Sequence, residues 1–447
     1  MSKFSEYLSS ITDKKSVCIL GFGREGKSTY AKLVQYCSPS KIAIADLNTV
    51  NRQSNGLPEN VELITGKDYQ SRLDEFDIVF KSPGIVLERQ PDELSCEISS
   101  ETQVFFTVFR NQIIGITGTK GKSTVTSLIF HILSHSGVDA HIAGNIGIPV
   151  FEIAEQIKQD SIAVCELSCH QLEYMSVSPA TAVFLNLYEE HLDHYGTLER
   201  YYNAKKNIYL HQKQSDSLVI NSSIKPNDIA SEICTISQTD DSADVFVSNG
   251  IVHSSNYEYA IPIDCVKLLG IHNHYNIAVA YEICRKYVTT EQFNEALCTF
   301  SPLAHRLEFV GSFSGIRWYD DSISTACATA IEAVKSVPDC ATILIGGMDR
   351  GIDYAPLVEF LLKTDVNVIC MEASGKRVYD MLISESITNN PRIYNVKHLD
   401  EAVRLASEIT PAGKSCVLSP AAASYGIFKN FEERGDVYKS LVASLDK

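Results

Sequence analysis

The run Gln112-Ile-Ile-Gly-Ile-Thr117, followed at once by Gly118-Thr-Lys-Gly-Lys-Ser-Thr124, constrains this chain more than any other feature. A short apolar run punctuated by glycine reads as a buried strand, and residues 123–134 carry helical periodicity. Strand, glycine-rich loop and helix in that order leave backbone N–H groups free at the helix N-terminus. Glycines let those groups approach phosphate oxygens, and the helix dipole favours an anion there. Gly118, Thr119, Lys120, Gly121, Lys122, Ser123 and Thr124 are therefore expected to hold the phosphates of ATP. Lys122 is placed to reach the terminal phosphates, and the Ser123 hydroxyl to meet Mg²⁺. The spacing departs from the usual G-x-x-x-x-G-K-S/T, because position 116 is Ile and the glycines fall at 115 and 118. Spacing alone leaves this shortened loop compatible with a kinase, a switch or a ligase.

The chain has 447 residues, enough for roughly three domains at about 150 residues each. Three segments each restart a strand-loop-helix pattern. The first has strands expected at 17–20, 42–45 and 77–80, and a helix at 27–36. The second adds strands at 162–165 and 182–187. The third, from about Ser301, has strands near 316–319, 342–345, 366–370 and 416–418, with a helix at 325–334. Apolar runs alternating with helical stretches point to parallel sheets covered on both faces. The expected fold class is α/β in three domains, at 1–108, 109–302 and 303–447. The first is Rossmann-like, the second a P-loop mononucleotide-binding domain, the third again Rossmann-like.

A net charge of −16 excludes nucleic acid as the main partner, since phosphate backbones need a basic surface. An anionic substrate would have to be held by local features such as a loop, a metal or a single Arg. The 13 cysteines are scattered without C-x-x-C spacing, so no disulfide framework is expected and a reducing cytosol fits. The N-terminus lacks an apolar secretory core, and no apolar run reaches the ~18 residues of a membrane span. The expectation is a cytoplasmic protein.

Past the phosphate loop, the strand at 162–165 ends on Glu166, within Glu-Leu-Ser-Cys-His-Gln-Leu-Glu. An acid at the tip of a parallel strand stands where such sheets gather ligands, and a carboxylate suits Mg²⁺. A helix-capping acid is an equally good reading of Glu166 alone. The next strand runs into Tyr-Glu-Glu-His191-Leu-Asp-His194, and an acid with a histidine near one phosphate loop suggests a metal-assisted site. On pattern alone, Lys205 and Lys206 form a solvated helix face. Near the N-terminus, Gly21-Phe-Gly23-Arg-Glu-Gly26 follows a strand, and Asp46 lies 20 residues beyond Gly26. That matches a dinucleotide fingerprint and, taken by itself, suggests an NAD-dependent dehydrogenase. A nucleotide-binding switch or scaffold is a further alternative.

Taken together, these motifs resemble the Mur ligases, cytoplasmic enzymes that build the peptide stem of the bacterial cell wall. The resemblance spans nearly the whole chain. It rests on the phosphate loop, Gly144-Asn-Ile-Gly147, the segments at 166–173 and 186–195, and Asn-Ala-Lys205. It continues through 270–276, His305-Arg-Leu-Glu308, the segment at 320–325 and the closing stretch at 418–435. The segments at 166–173 and 418–435 are most similar to members that add D-glutamate to UDP-N-acetylmuramoyl-L-alanine. The resemblance implies that an ATP-dependent ligase forms an acyl phosphate. It implies two Mg²⁺ ions, with Ser123, Glu166, His191 and a CO₂-carbamylated Lys205 at the metals. Asn276, Arg306 and Asp321 would contact the nucleotide. Gly23, Arg24, Glu25, Asp46, Gly84, Asn145 and His191 would contact the UDP-substrate. Thr325, Arg350, Ser424 and Phe431 would place D-glutamate. The resemblance also implies a monomer. Departures are Glu190 before His191, Ile323 where some members have Lys, and Arg350 where some have Lys. Arg350 keeps the charge with a different geometry.

Overall fold

The computed structural model describes residues 2–190, 192–227, 229–385 and 392–446. It divides into two compact units: Met1–Ile263 with Tyr275–Thr299, and Asp264–His274 with Phe300–Lys447.

The first unit holds two sheets. The N-terminal one has five parallel strands in the order Glu62–Thr65, Lys41–Asp46, Ser16–Leu20, Ile78–Lys81, Glu97–Ser99. The chain leaves the central strand Ser16–Leu20 on one side and later returns on the other. Such a reversal of strand order opens a crevice beyond the strand ends. The loop after Ser16–Leu20 feeds the helix Arg24–Tyr36, three residues earlier than expected. Gly23 caps that helix in an extended conformation. A Cβ on Gly26 would lie 2.1 Å from the Gly21 carbonyl oxygen, so the helix packs on the loop only with glycine there.

The second sheet surrounds the phosphate loop. Its parallel strands Ser217–Asn221, Thr181–Phe184, Ile113–Thr117, Ile162–Glu166 and Ala140–Gly144 lie side by side in that order. Ile113–Thr117 is fully buried, as its apolar run requires. Beyond Ser217–Asn221 the sheet continues through Glu232–Ser237 to Val245–Ser248, Ile251–Ser254 and Glu258–Ala260, the last two antiparallel. A single buried apolar cluster runs from Phe4, Val17 and Phe80 near the first sheet to Phe151, Ala163 and Phe184 near the second. Phe4 and Phe151 meet edge to face at 4.9 Å.

The second unit has a six-stranded sheet. Its order is Glu308–Phe313, Ile316–Asp320, Ser415–Leu418, Cys340–Gly346, Asn367–Met371, Ile393–Val396. Only the first pair is antiparallel. Separate buried clusters cover its two faces, one around Ile343, Leu357 and Val417, the other around Trp318, Leu344 and Tyr438. The α/β expectation is met in all three sheets. Among the described residues eleven cysteines are free, in line with the expected absence of a disulfide framework.

Gly26→Ala should lower stability by about 1–3 kcal/mol, because the new methyl meets backbone that cannot rotate away. Thermal unfolding of the full chain checks it; an unchanged melting temperature would show that the turn has room.

Candidate active site

The loop Gly118–Thr124 joins Ile113–Thr117 to the helix Lys122–His135. Gly118 and Gly121 both have positive φ, at 152° and 83°. A Cβ on Gly118 would sit 2.9 Å from Leu185 Cβ, and one on Gly121 would sit 2.9 Å from Asn276 Oδ1. Both positions therefore demand glycine on conformation and on space. The loop is held from the neighbouring strand by Asn186. Its Oδ1 accepts from Thr119 N at 3.1 Å and Lys120 N at 2.8 Å, and its Nδ2 donates to Lys120 O at 3.0 Å. Asn186 opens the segment 186–195, but no pattern in the sequence signals its grip on the loop. The expected strand at 182–187 stops at Phe184: Leu185 N still donates to Thr117 O at 2.9 Å, but Asn186 gives its carbonyl and side chain to the phosphate loop.

Three charged side chains converge beneath the loop. Lys122 Nζ donates to Thr119 O at 3.0 Å, and burial holds its ammonium below the usual lysine range. Glu166 closes the strand Ile162–Glu166 and is 1% exposed. Its Oε1 accepts from Asn145 Nδ2 at 2.7 Å, while its Oε2 is buried with no hydrogen-bond partner among the described residues. Ser168, not Glu166, caps the helix that follows. Lys205 is 1% exposed, which corrects the reading of a solvated lysine face. Tyr201, one turn earlier, turns the same way: its hydroxyl lies 3.2 Å from Thr119 Oγ1, and Lys205 Nζ stands 4.8 Å from its ring centroid. Lys205 Nζ donates to Gly118 O at 2.9 Å. Burial lowers the Lys205 pKa to about 7, with the Lys122 charge acting in the same direction. Near neutral pH a substantial fraction is therefore a free amine. The expected ligand His191 lies outside the described residues. Ser123 is half-buried in the first helical turn.

A cavity of about 580 Å³ opens beside this cluster, and Gly23, Arg24, Glu25, Asp46, Gly84 and Asn145 all line it. Asp46 spends both oxygens on backbone, accepting from Phe22 N and Asn48 N at 2.8 Å each. Glu25 accepts from Gln171 Nε2 at 2.8 Å, and burial raises its pKa. Gln171 and Tyr69 also line the cavity and were not singled out from sequence. Asn145 belongs to both places, since it faces the cavity and holds Glu166.

In the second unit, Asp321 Oδ1 accepts from Leu307 N at 3.2 Å and Oδ2 from Ser419 Oγ at 2.7 Å. Burial raises its pKa to about 6. Arg306 Nε is buried with no hydrogen-bond partner among the described residues. The turn that carries Arg306 is strained, with φ of 63° at His305 and 45° at Leu307. Thr325 and Arg350 are exposed, Ser424 is buried and Phe431 half-buried. Among the described residues, one group of three His or acidic side chains converges closely, His305, Glu308 and Asp320. Its donors are already engaged. His305 Nδ1 lies 2.7 Å from Asp320 Oδ2, and Glu308 Oε2 accepts from His305 N and pairs with Lys439.

The Lys205 environment has a measurable signature. In the unfolded chain this lysine titrates near 10.5, and in the fold near 7. Between those values the unfolded chain binds the extra proton, so stability rises with pH; below about 7 the cost of the buried charge is present in full. Lys205→Met removes the titration. The variant should gain stability relative to the native chain as pH falls from about 10 to about 7, by on the order of a few kcal/mol, since each tenfold in proton affinity is worth about 1.4 kcal/mol. Urea unfolding at both pH values reads it, and a difference that ignores pH would mean that Lys205 titrates normally.

Residues 116–284 match the family description Mur ligase middle domain. Full-length relatives agree. A UDP-N-acetylmuramoylalanine–D-glutamate ligase of Clostridium botulinum strain Langeland is 30% identical over 469 residues, covering 99% of this chain and 100% of that protein. One from Clostridium kluyveri is 32% identical and covers 86% of each chain. Among solved structures, the MurF ligase from Thermotoga maritima in complex with ADP superposes with a TM-score of 0.60 at 15% identity, over 99% of this chain and 100% of that one. The fold, the phosphate loop and a full-length relative at 30% identity lead to one conclusion: this chain belongs to the Mur ligase family.

Proposed function

We propose that the chain is an ATP-dependent ligase that joins D-glutamate to UDP-N-acetylmuramoyl-L-alanine in peptidoglycan precursor synthesis. The observation that carries this reading is Asn145, which links the cavity of the glycine-rich loop Gly21–Gly26 to the buried Glu166 beneath the phosphate loop. A nucleotide-carried substrate in the cavity would present its far end to the ATP phosphates. The relatives named for this reaction support the choice of substrates. In this reading residues 1–108 bind the UDP-substrate, 109–302 the ATP and 303–447 the incoming amino acid. Asn276, Arg306 and Asp321 are assigned to the nucleotide, and Thr325, Arg350, Ser424 and Phe431 to D-glutamate. Among the described residues no helix is long and apolar enough to cross a membrane. Action in the cytoplasm as a monomer is part of the proposal.

The chemistry proceeds in two displacements. An oxygen of the L-alanine carboxylate attacks the γ-phosphorus of ATP, the bond to the bridging oxygen breaks, and ADP leaves from an acyl phosphate. The D-glutamate amine then attacks the acyl carbon, phosphate departs, and the nitrogen loses a proton. The loop N–H groups and Lys122 hold the γ-phosphate and offset the charge that gathers on it. The Glu166 oxygen that has no partner among the described residues is a hard anionic donor of the kind Mg²⁺ takes, so the residues fit that ion. Ser123, Glu166, His191 and Lys205 are assigned to two such ions, which would supply positive charge against the phosphate oxygens. Lys205 would serve as a carbamate: its free amine attacks CO₂, an N–C bond forms and a proton goes to solvent. That turns a cation into an anionic oxygen ligand.

Phosphate release with UDP-N-acetylmuramoyl-L-alanine and a panel of amino acids tests the assignment. Release should depend on D-glutamate; release that ignores it, or follows another amino acid, rejects the substrate choice. Lys205→Ala should lose activity on the order of 10–100-fold or more, as supporting ligands do, and added bicarbonate should not restore it. Near-native turnover in that variant would dispose of the carbamate.

A further inference from the structure

Arg434 is 0% exposed, yet no carboxylate lies within ion-pair distance of it among the described residues. Its guanidinium is spent on backbone and one hydroxyl. Nε donates to Ser322 Oγ at 3.1 Å, and Nη2 donates to Ser322 O at 2.9 Å and Ala422 O at 3.0 Å. Nη1 reaches towards Gly346 O at 3.5 Å. Burial lowers its pKa to about 10, against the more distant Glu372 and Asp320, so the group stays charged at neutral pH. A buried cation is costly, and apolar residues of similar volume usually stabilise a core as well or better. Packing alone therefore does not account for a guanidinium here.

The identity of its partners does. Ser322 is three residues before Thr325, Gly346 four before Arg350, and Ala422 two before Ser424. Phe431 opens the helix Phe431–Ala443 that carries Arg434 itself. Ser322 Oγ closes the ring by donating to Phe431 O at 2.8 Å. The loops also bond to each other, with Met348 N donating to Ala423 O at 2.8 Å. Next to Gly346, a Cβ on Gly347 would fall 2.9 Å from Arg434 Nη1 and 2.4 Å from Ala423 O, so glycine lets the loops close on the guanidinium. Ala421 holds a positive φ of 51° just before Ala422. A non-glycine residue persists there only when its surroundings fix it.

We propose that Arg434 is the positioning residue of the acceptor amino-acid subsite, tying into one piece the three loops and the helix end that carry Thr325, Arg350, Ser424 and Phe431. The proposal rests on the D-glutamate reading above. A fork of donors suits three carbonyls at fixed angles, which a lysine point charge does not. Displacing subsite groups by about 1 Å can cost on the order of 100-fold, so loosening the tie should be felt by the amino acid and not by the other two substrates.

The test uses full-length Arg434→Met, Arg434→Lys and Ser322→Ala, with KM measured separately for D-glutamate, ATP and UDP-N-acetylmuramoyl-L-alanine, alongside thermal unfolding. Arg434→Met and Arg434→Lys should raise the D-glutamate KM about tenfold or more and leave the other two within about twofold, the pattern of lost binding confined to one subsite. Ser322→Ala, which removes one hydroxyl, should raise it about threefold. If Arg434→Met does not fold, the two milder variants decide. A lower melting temperature with all three KM values unchanged, or all three shifted together, overturns the proposal. A native protein that ignores D-glutamate overturns the parent reading too, whereas a D-glutamate-dependent native protein with unchanged variants overturns only the tie.

Discussion

The side chain of Asn186 fixes the phosphate loop by accepting from two of its N–H groups and donating to one of its carbonyls. A glycine-rich loop is entropically expensive to hold in one shape. Here the cost is met from outside the loop, by a residue at the tip of the neighbouring strand. The N–H groups that open the helix Lys122–His135 have no intrahelical partner and remain available to an anion. Much of the site is arranged round this fixed point. Lys205 binds the Gly118 carbonyl, Tyr201 meets Thr119, and Lys122 folds back on Thr119.

A chain of net charge −16 nonetheless places one buried and one half-buried lysine at the phosphate loop. Lys122 and Lys205 sit beneath the loop, each depressed in proton affinity by burial. Glu166 faces them with one oxygen held by Asn145 and the other without a hydrogen-bond partner among the described residues. In a low-dielectric pocket such charges interact far more strongly than at the surface. The overall acidity of the protein therefore says little about the local field at the site.

The parallel α/β architecture was legible because fully buried strands read as apolar runs and glycine marks their ends. Element limits were less so. The helix at Arg24 begins three residues earlier than its apolar spacing suggests, because Gly23 caps it and Glu25 occupies its first turn. The strand ending at Phe184 was overextended, since Asn186 looks like strand but serves the loop. The strands Val245–Ser248, Ile251–Ser254 and Glu258–Ala260 were not anticipated at all; they are short and carry polar residues. Within the site, motif residues could be named but their partners could not. The bonds from Asn145 to Glu166 and from Gln171 to Glu25 join positions 21 and 146 residues apart, and no local pattern encodes such a pairing. Lys205 shows the limit most clearly, since an exposed and a buried lysine look alike in a helix until the loop above them is placed.

The strand Ser415–Leu418 has a consequence for how the protein is made. It lies in the middle of the last sheet, between Ile316–Asp320 and Cys340–Gly346, although it is the final strand in sequence. A nascent chain growing from the N-terminus presents the flanking strands first, with the slot between them vacant. They cannot be bridged until residue 418 has been synthesised, and the helix that brings Arg434 arrives later still. The second unit is thus completed by its last few dozen residues, and a ribosome that stops short of them leaves two strand edges facing an unfilled gap.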